Sequence, residues 1–252
     1  MSTLAPLASR PRLTFHKPAE LDAETIDVVV GVMNRYVEAE PGWHRARLAS
    51  ADELILFRSE AGDVLGTTLL DIIDLEHEGT PCRVLFTGGV FLDPALRGRN
   101  MIQLAGALSY LRHGLATTRR VFWFSECSTA RAFLLTTRNF SRSWPRPQTE
   151  TPEWEGLYTE LCATRLGPCW RPQQGTCKRA RPDALACARI CPKRQARDRD
   201  LTFFVSRNPG YLDGETLPVL VPLDLGNWLS VLGRALGRSF RGLARRLVPV
   251  RA

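Results

Sequence analysis

Two stretches hold residues that can do chemistry. In VFLDPALRGRNMIQLAGAL, residues 90–108, an apolar run ends at Asp93-Pro94 and gives way to a turn with Arg97, Gly98, Arg99 and Asn100. Helical spacing follows. The first turn of a helix exposes unpaired N–H groups and a partial positive charge, so a strand that enters a helix through a basic turn can hold an anion. With one glycine in the turn, a plain strand–turn–helix with solvent-facing arginines is the alternative. The second stretch is Glu126, Cys127 and Ser128, just after the apolar run VFWF (121–124). Glu126 can act as a general base where burial raises its pKa, or it is simply a solvated strand-end carboxylate. Cys127 can in principle carry an acyl group, but one cysteine without a placed histidine is more often a small core residue.

The elements around these residues read as mixed α/β. Leu13–His16 is expected to be a first strand. Ala23–Ala39 has apolar residues every three or four positions, which predicts a helix closed by Pro41-Gly42. Strands follow at Glu53–Ser59, Val64–Leu75 and Arg83–Leu92. The polar stretch Glu76–Pro81 is expected to be a turn with exposed charge, pairing the last two strands antiparallel. Gly88-Gly89 inside the third of these strands predicts a bulge or a splay. A helix is expected from Arg97 to about Ala116, a strand at Val121–Phe124, and helices at Ser128–Arg138 and Glu153–Leu166. Strand character returns at Leu201–Val205 and Leu217–Val221. The order β-α-β-β-β-α-β-α implies an antiparallel middle and one later β-α-β crossover.

The chain has 252 residues, 44% of them hydrophobic, which suits one large domain with an appendage. Its 34 Lys+Arg against 26 Asp+Glu give a net charge of +8 and favour anionic partners. No apolar run is long enough to span a bilayer. Without a recognisable leader, a reduced cytoplasmic setting is expected for the seven cysteines. Residues 141–200 read as a Cys/Pro-rich, basic insertion. Its cysteines lack the paired C-x2-C spacing of zinc sites and no histidine accompanies them, so no metal is expected. The basic lobe is a solvated surface or a dock for an acidic carrier protein. Nucleic acid is not expected, because no stacking aromatics accompany the charge.

Taken together, these segments resemble the GNAT acyltransferase superfamily. Its thioester-binding motif runs roughly Val-x-x-x-Pro-x-x-Arg-Gly-x-Gly before a helix, and VFLDPALRGRN matches at Val90, Pro94, Arg97 and Gly98, with Asn100 at the next glycine. A downstream family motif, Asn-x-x-Ala-x-x-Leu-Tyr-x-x-x-Gly-Phe, is met by STARAFLLTTRNF, which keeps Leu134 and Phe140 but has Leu135 at the tyrosine. The resemblance covers about residues 13–140, with Leu201–Val221 supplying the last two strands. It implies a GNAT-like mixed-sheet domain over residues 13–223 and acyl transfer from a pantetheine thioester, acyl-CoA or an acyl carrier protein, to an amine or hydroxyl. Phe91, Leu92, Arg97, Gly98, Arg99, Asn100 and Met101 would bind the donor, and Glu126 and Ser128 would serve catalysis. The lost tyrosine leaves open a non-catalytic module that binds a ligand or partner.

Residues 224–252 form a basic amphipathic helical pattern. Leu225, Trp228, Leu229, Leu232, Leu236, Phe240, Leu243 and Leu247 share one face, and Arg234, Arg238, Arg241 and Arg245 the other. An anionic membrane surface and a protein partner suit it equally. With a membrane partner, the protein would sit peripherally at the inner face and a fatty-acyl donor would be natural.

Overall fold

The structure, a computed structural model, describes residues 11–37, 39–96, 99–147, 150–178, 190–234 and 237. Six of the described strands form one sheet: β1 (Arg12–His16), β2 (Glu53–Arg58), β3 (Val64–His77), β4 (Thr80–Leu92), β5 (Arg120–Cys127) and, last among them, Leu217–Pro222. They lie in that order across the sheet. Every neighbouring pair is antiparallel except β4 and β5. The helix crossing between those two is α3 (Met101–His113). Before it come α1 (Ala23–Asn34) and α2 (Trp43–Ala49), and after β5 come α4 (Ala130–Thr137) and α5 (Glu155–Leu166). A small hairpin, β6 (Trp170–Arg171) and β7 (Thr176–Cys177), precedes α6 (Pro192–Ala196) and α7 (Arg199–Arg207). The strand Leu217–Pro222 is therefore β8, and the last of the described helices, α8, includes residues 225–234.

Both faces of the sheet are covered, so β2 reads as a continuous apolar run rather than an alternating one. Leu54, Leu56 and Leu69 pack with Val29, Met33 and Leu48 of α1 and α2 on one face. Farther along that face, Phe86, Phe122 and Phe124 meet Leu157 and Leu161 of α5, so part of the Cys/Pro-rich insertion covers the core. On the other face Ile55 and Phe57 pack with Met101 and Ala105 of α3. Leu85, Val121 and Val219 pack there with Phe133 of α4 and Phe204 of α7.

Three sequence expectations need correction. Leu201–Val205 is helical, within α7, so the sheet gains one late strand and not two. The side chain of Asp198 accepts from the N–H groups of Asp200 and Leu201 at 3.1 and 3.2 Å, capping the helix start. Helical spacing then buries Leu201 and Phe204 together, and this burial overrides the strand propensity of Thr202, Phe203 and Val205. The β3–β4 turn is only Glu78-Gly79, both at positive φ, so Glu76 and His77 belong to the ladder. His77 is tucked against α5, with Nδ1 3.4 Å from Glu160. The first helix ends at Asn34, and the third begins at Met101 and ends at His113.

Candidate active site

The geometry begins with the two parallel strands. Pairing of β4 with β5 stops at Thr87 opposite Ser125. Beyond that point β4 stays with β3 as far as Leu92, while Glu126 and Cys127 pair with Pro218 and Leu217 of β8. The strands part, and a cleft opens between them at their carboxyl ends. Gly88-Gly89 lies where they part. Gly89 has φ +58°, and the register shift opposite Thr67–Leu69 marks the bulge. Because β4 and β5 are parallel, the helices that follow them, α3 and α4, both start at this end of the sheet.

On the β4 side, the chain leaves Leu92 through a 3-10 turn at Pro94–Leu96. Asp93 steadies that turn by accepting from the N–H of Ala95 at 2.7 Å. Asn100 holds the left-handed conformation, φ +56° and ψ +27°, immediately before α3. Asparagine enters this region more readily than most residues, so it can stand where glycine is usual. Arg99 and Asn100 are exposed. Arg97 and Gly98 lie outside the described residues. The side chains of Phe91, Leu92 and Met101 are turned into the core. Phe91 stacks on Tyr36 at 5.8 Å, while Leu92 and Met101 join the cluster beneath α3.

On the β5 side, Oε2 of Glu126 accepts from the Thr216 hydroxyl at 3.0 Å, on the face covered by α5. Ser128 follows the strand and precedes Thr129, whose hydroxyl caps α4 by accepting from the N–H of Ala132 at 3.1 Å. Cys127 points to the opposite face and is buried; burial pushes its thiol up to about 12. At neutral pH it is a protonated core residue and not a nucleophile. Thus Glu126 and Ser128 lie at the carboxyl end of β5, and Arg99, Asn100 and the start of α3 follow the carboxyl end of β4.

Other groups come together from distant parts of the sequence. Tyr158 of α5 donates to the carbonyl of Pro218, the register partner of Glu126, at 3.4 Å. Burial pushes its phenol well above the usual range, as it does the thiol of neighbouring Cys162. Asp71 of β3 accepts from both guanidinium N–H groups of Arg47, at 3.1 to 3.2 Å, and from Arg165 at 2.5 Å. Arg47 also lies beside β4: a Cβ at Gly88 would be 3.4 Å from its guanidinium, an ordinary contact. Two arginines on one carboxylate leave one positive charge beside the parting strands. Sequence spacing gave no sign of Tyr158, Arg47 or Asp71. Among the described residues no group of three or more His, Cys, Asp or Glu side chains is placed to hold a metal. Cys187 lies outside the described residues.

A mixed sheet with one parallel pair, a crossover helix between its strands and a cleft where they part is a GNAT-like α/β layout. No family model matches the chain, and no curated protein matches it. Solved structures are similar to it at a distance. A GNAT family N-acetyltransferase from Escherichia coli, in complex with CoA, is 13% identical with a TM-score of 0.39, over 56% of this chain and 72% of that one. An acyl-CoA N-acyltransferase from Pseudomonas aeruginosa is 16% identical with a TM-score of 0.38, over 51% and 86%. An aminoglycoside N-acetyltransferase in complex with CoA is 17% identical with a TM-score of 0.34, over 65% and 91%.

Proposed function

We propose that this protein transfers an acyl group from a pantetheine thioester to an amine or hydroxyl acceptor. The observation that carries the reading is the parting of β4 from β5 after Thr87 and Ser125. Among the described residues, no strand pairs with the β5-facing edge of β4 beyond Thr87. An extended arm with two amide groups, as in pantetheine, can add to such an edge by main-chain hydrogen bonds. The start of α3 lies at the end of that edge, where backbone N–H groups and Arg99 suit the donor's phosphates. Acyl-CoA and an acyl carrier protein present the same arm, and the basic lobe suits the acidic carrier. A fatty-acyl donor is the finer form of this reading.

In the reaction the acceptor nitrogen attacks the thioester carbonyl carbon. A C–N bond forms, the C–S bond breaks, and the thiolate leaves with the electron pair of that bond. Glu126 takes the proton lost from nitrogen, and Ser128 hydrogen-bonds at the same strand end. Leu135 has no proton to give the thiolate, so water supplies it. Leu135 also favours a second reading, a binding module that holds the donor without turning it over.

Thermal melting with CoA and with long-chain acyl-CoA, followed by thiol release across a panel of amines and alcohols, separates these readings. Stabilisation by a donor together with acceptor-dependent thiol release is expected. Stabilisation without release across the panel points to the module, and no stabilisation by any donor overturns both.

A further inference from the structure

Helix α8 turns Asn227, Trp228 and Arg234 toward the rest of the domain, which corrects the sequence expectation: Trp228 packs inward and does not share the exposed face of Leu225, Leu229 and Leu232. Asn227 is fully buried. Its Oδ1 accepts from Ser141 Oγ at 2.9 Å and from the Arg142 N–H at 2.8 Å. Trp228 packs on Tyr110 at 4.9 Å and meets Phe140 edge-on at 6.3 Å. Arg234 reaches the carbonyls of Thr137 and Phe140, both at 3.4 Å. The opposite side carries Leu225, Leu229 and Leu232, which are 74%, 58% and 56% exposed. These leucines, at i, i+4 and i+7, form a stripe that faces away from the body. In the sequence, Leu236, Leu243 and Leu247 continue its spacing. From residue 225 to the end there are six arginines and no acidic residue.

A second feature borders the first. A groove of about 710 Å³ lies between residues 146–147 and the α6–α7 segment, lined by Arg146, Arg197, Arg199, Thr202, Phe203 and Ser206 among others. No acidic side chain is among the described residues that line it. The nearby Asp198 pairs with Arg138. Asp200 accepts from Thr137, although its charge also reaches Arg146. Arg146 joins the two features. It donates to the carbonyl of Ser141, the residue that meets Asn227 and Ser230 of α8. The charges of Arg199 and Arg234 both act on it. Its Nε is buried without a partner.

We propose that α8 and the arginine groove together dock on an anionic phospholipid bilayer, with the leucines entering the acyl boundary and the arginines meeting headgroup phosphates. Exposed leucines beside a positive surface match the two chemistries of such an interface. A second copy of the chain is the poorer occupant of this face, because it would set two arginine-rich segments of like charge together. No helix among the described residues is long and apolar enough to cross a membrane, so the contact is peripheral. The proposal goes beyond the acyl-transfer reading and does not rest on it.

The test is co-sedimentation of the full chain, without acyl donor, with phosphatidylcholine vesicles that contain or lack phosphatidylglycerol. The wild type is expected to pellet with the anionic vesicles and to be released as salt rises. Replacing the three exposed leucines (Leu225→Glu, Leu229→Glu, Leu232→Glu) should weaken binding at least about tenfold with little change in melting temperature. The pair Arg197→Glu and Arg199→Glu should weaken it as well. Failure of the wild type to pellet with anionic vesicles overturns the proposal, and so does a leucine variant that binds as wild type does. Concentration-dependent dimers that the leucine variant abolishes, without vesicle binding, would assign the stripe to a second copy and also overturn it.

Discussion

At the scale of single residues, the cleft combines groups of two origins. Asn100 and Glu126 lie within or beside short motifs, and their spacing made them visible in the sequence. Arg47, Asp71 and Arg165 come from three distant segments, and only the folded sheet brings them together. No pattern along the chain can announce such a convergence. Glu126→Gln tests the motif side. Its side-chain oxygen can still accept from Thr216, so the fold should hold. Loss of a positioned base should lower kcat for thiol release about 100-fold, read at saturating acceptor. An unchanged kcat would remove Glu126 from proton transfer. Asp71→Ala tests the other group. It leaves Arg47, 19% exposed, and Arg165, 36% exposed, without their shared carboxylate. Their partial exposure softens the penalty, and a loss of about 2 kcal/mol in denaturant unfolding is expected.

At the scale of elements, legibility depended on whether local pattern and tertiary burial agreed. For β2 to β5 they did: short apolar runs bounded by turn residues became strands, and Gly88-Gly89 became a bulge at the parting of β4 and β5. For α7 they disagreed. Residues 201–205, LTFFV, have the composition of a strand, yet the Asp198 cap and the joint burial of Leu201 and Phe204 made them a helix. Nor did the sequence show how closely α3 lies on the sheet. Gly106 faces Trp123, and a Cβ there would come within 1.8 Å of the indole ring. The ring is held in place because its Nε1–H donates to Thr87 at 2.8 Å. Gly106→Ala therefore has to move the helix or the ring, which outweighs the gain in helix propensity. A net loss of about 1–3 kcal/mol is expected, measured by thermal or denaturant unfolding. A more stable variant would show that α3 shifts freely over β5, and the cleft would then be less fixed than described.

At the scale of the whole molecule, the core is joined to several titratable groups that it keeps uncharged. Cys127 is buried on one face of the sheet, and Cys162 and Tyr158 on the other. Burial raises all three above their ordinary values, Cys127 to about 12 from 9.0. The unfolded chain loses these thiol protons from about pH 9 and the phenol proton from about pH 10, while the folded chain keeps them. The unfolded state thus binds fewer protons as pH rises, and stability falls. The contribution of each group is complete below its unfolded pKa and declines as pH climbs toward the folded one. Under reducing conditions the melting temperature should be nearly level from about pH 7 to 8.5 and fall steadily above about pH 9. Cys127→Ala removes one of the three groups, so it should start from a somewhat lower melting temperature and descend less steeply. Thiol labelling of the native protein at neutral pH provides an independent check: Cys191 is exposed and should react early, while Cys127 and Cys162 should wait for unfolding. A melting temperature equal at pH 8 and pH 10.5, or prompt labelling of Cys127, would mean that the sheet opens readily. The parting of β4 and β5 would then be part of a looser core instead of a cleft held by a tight one.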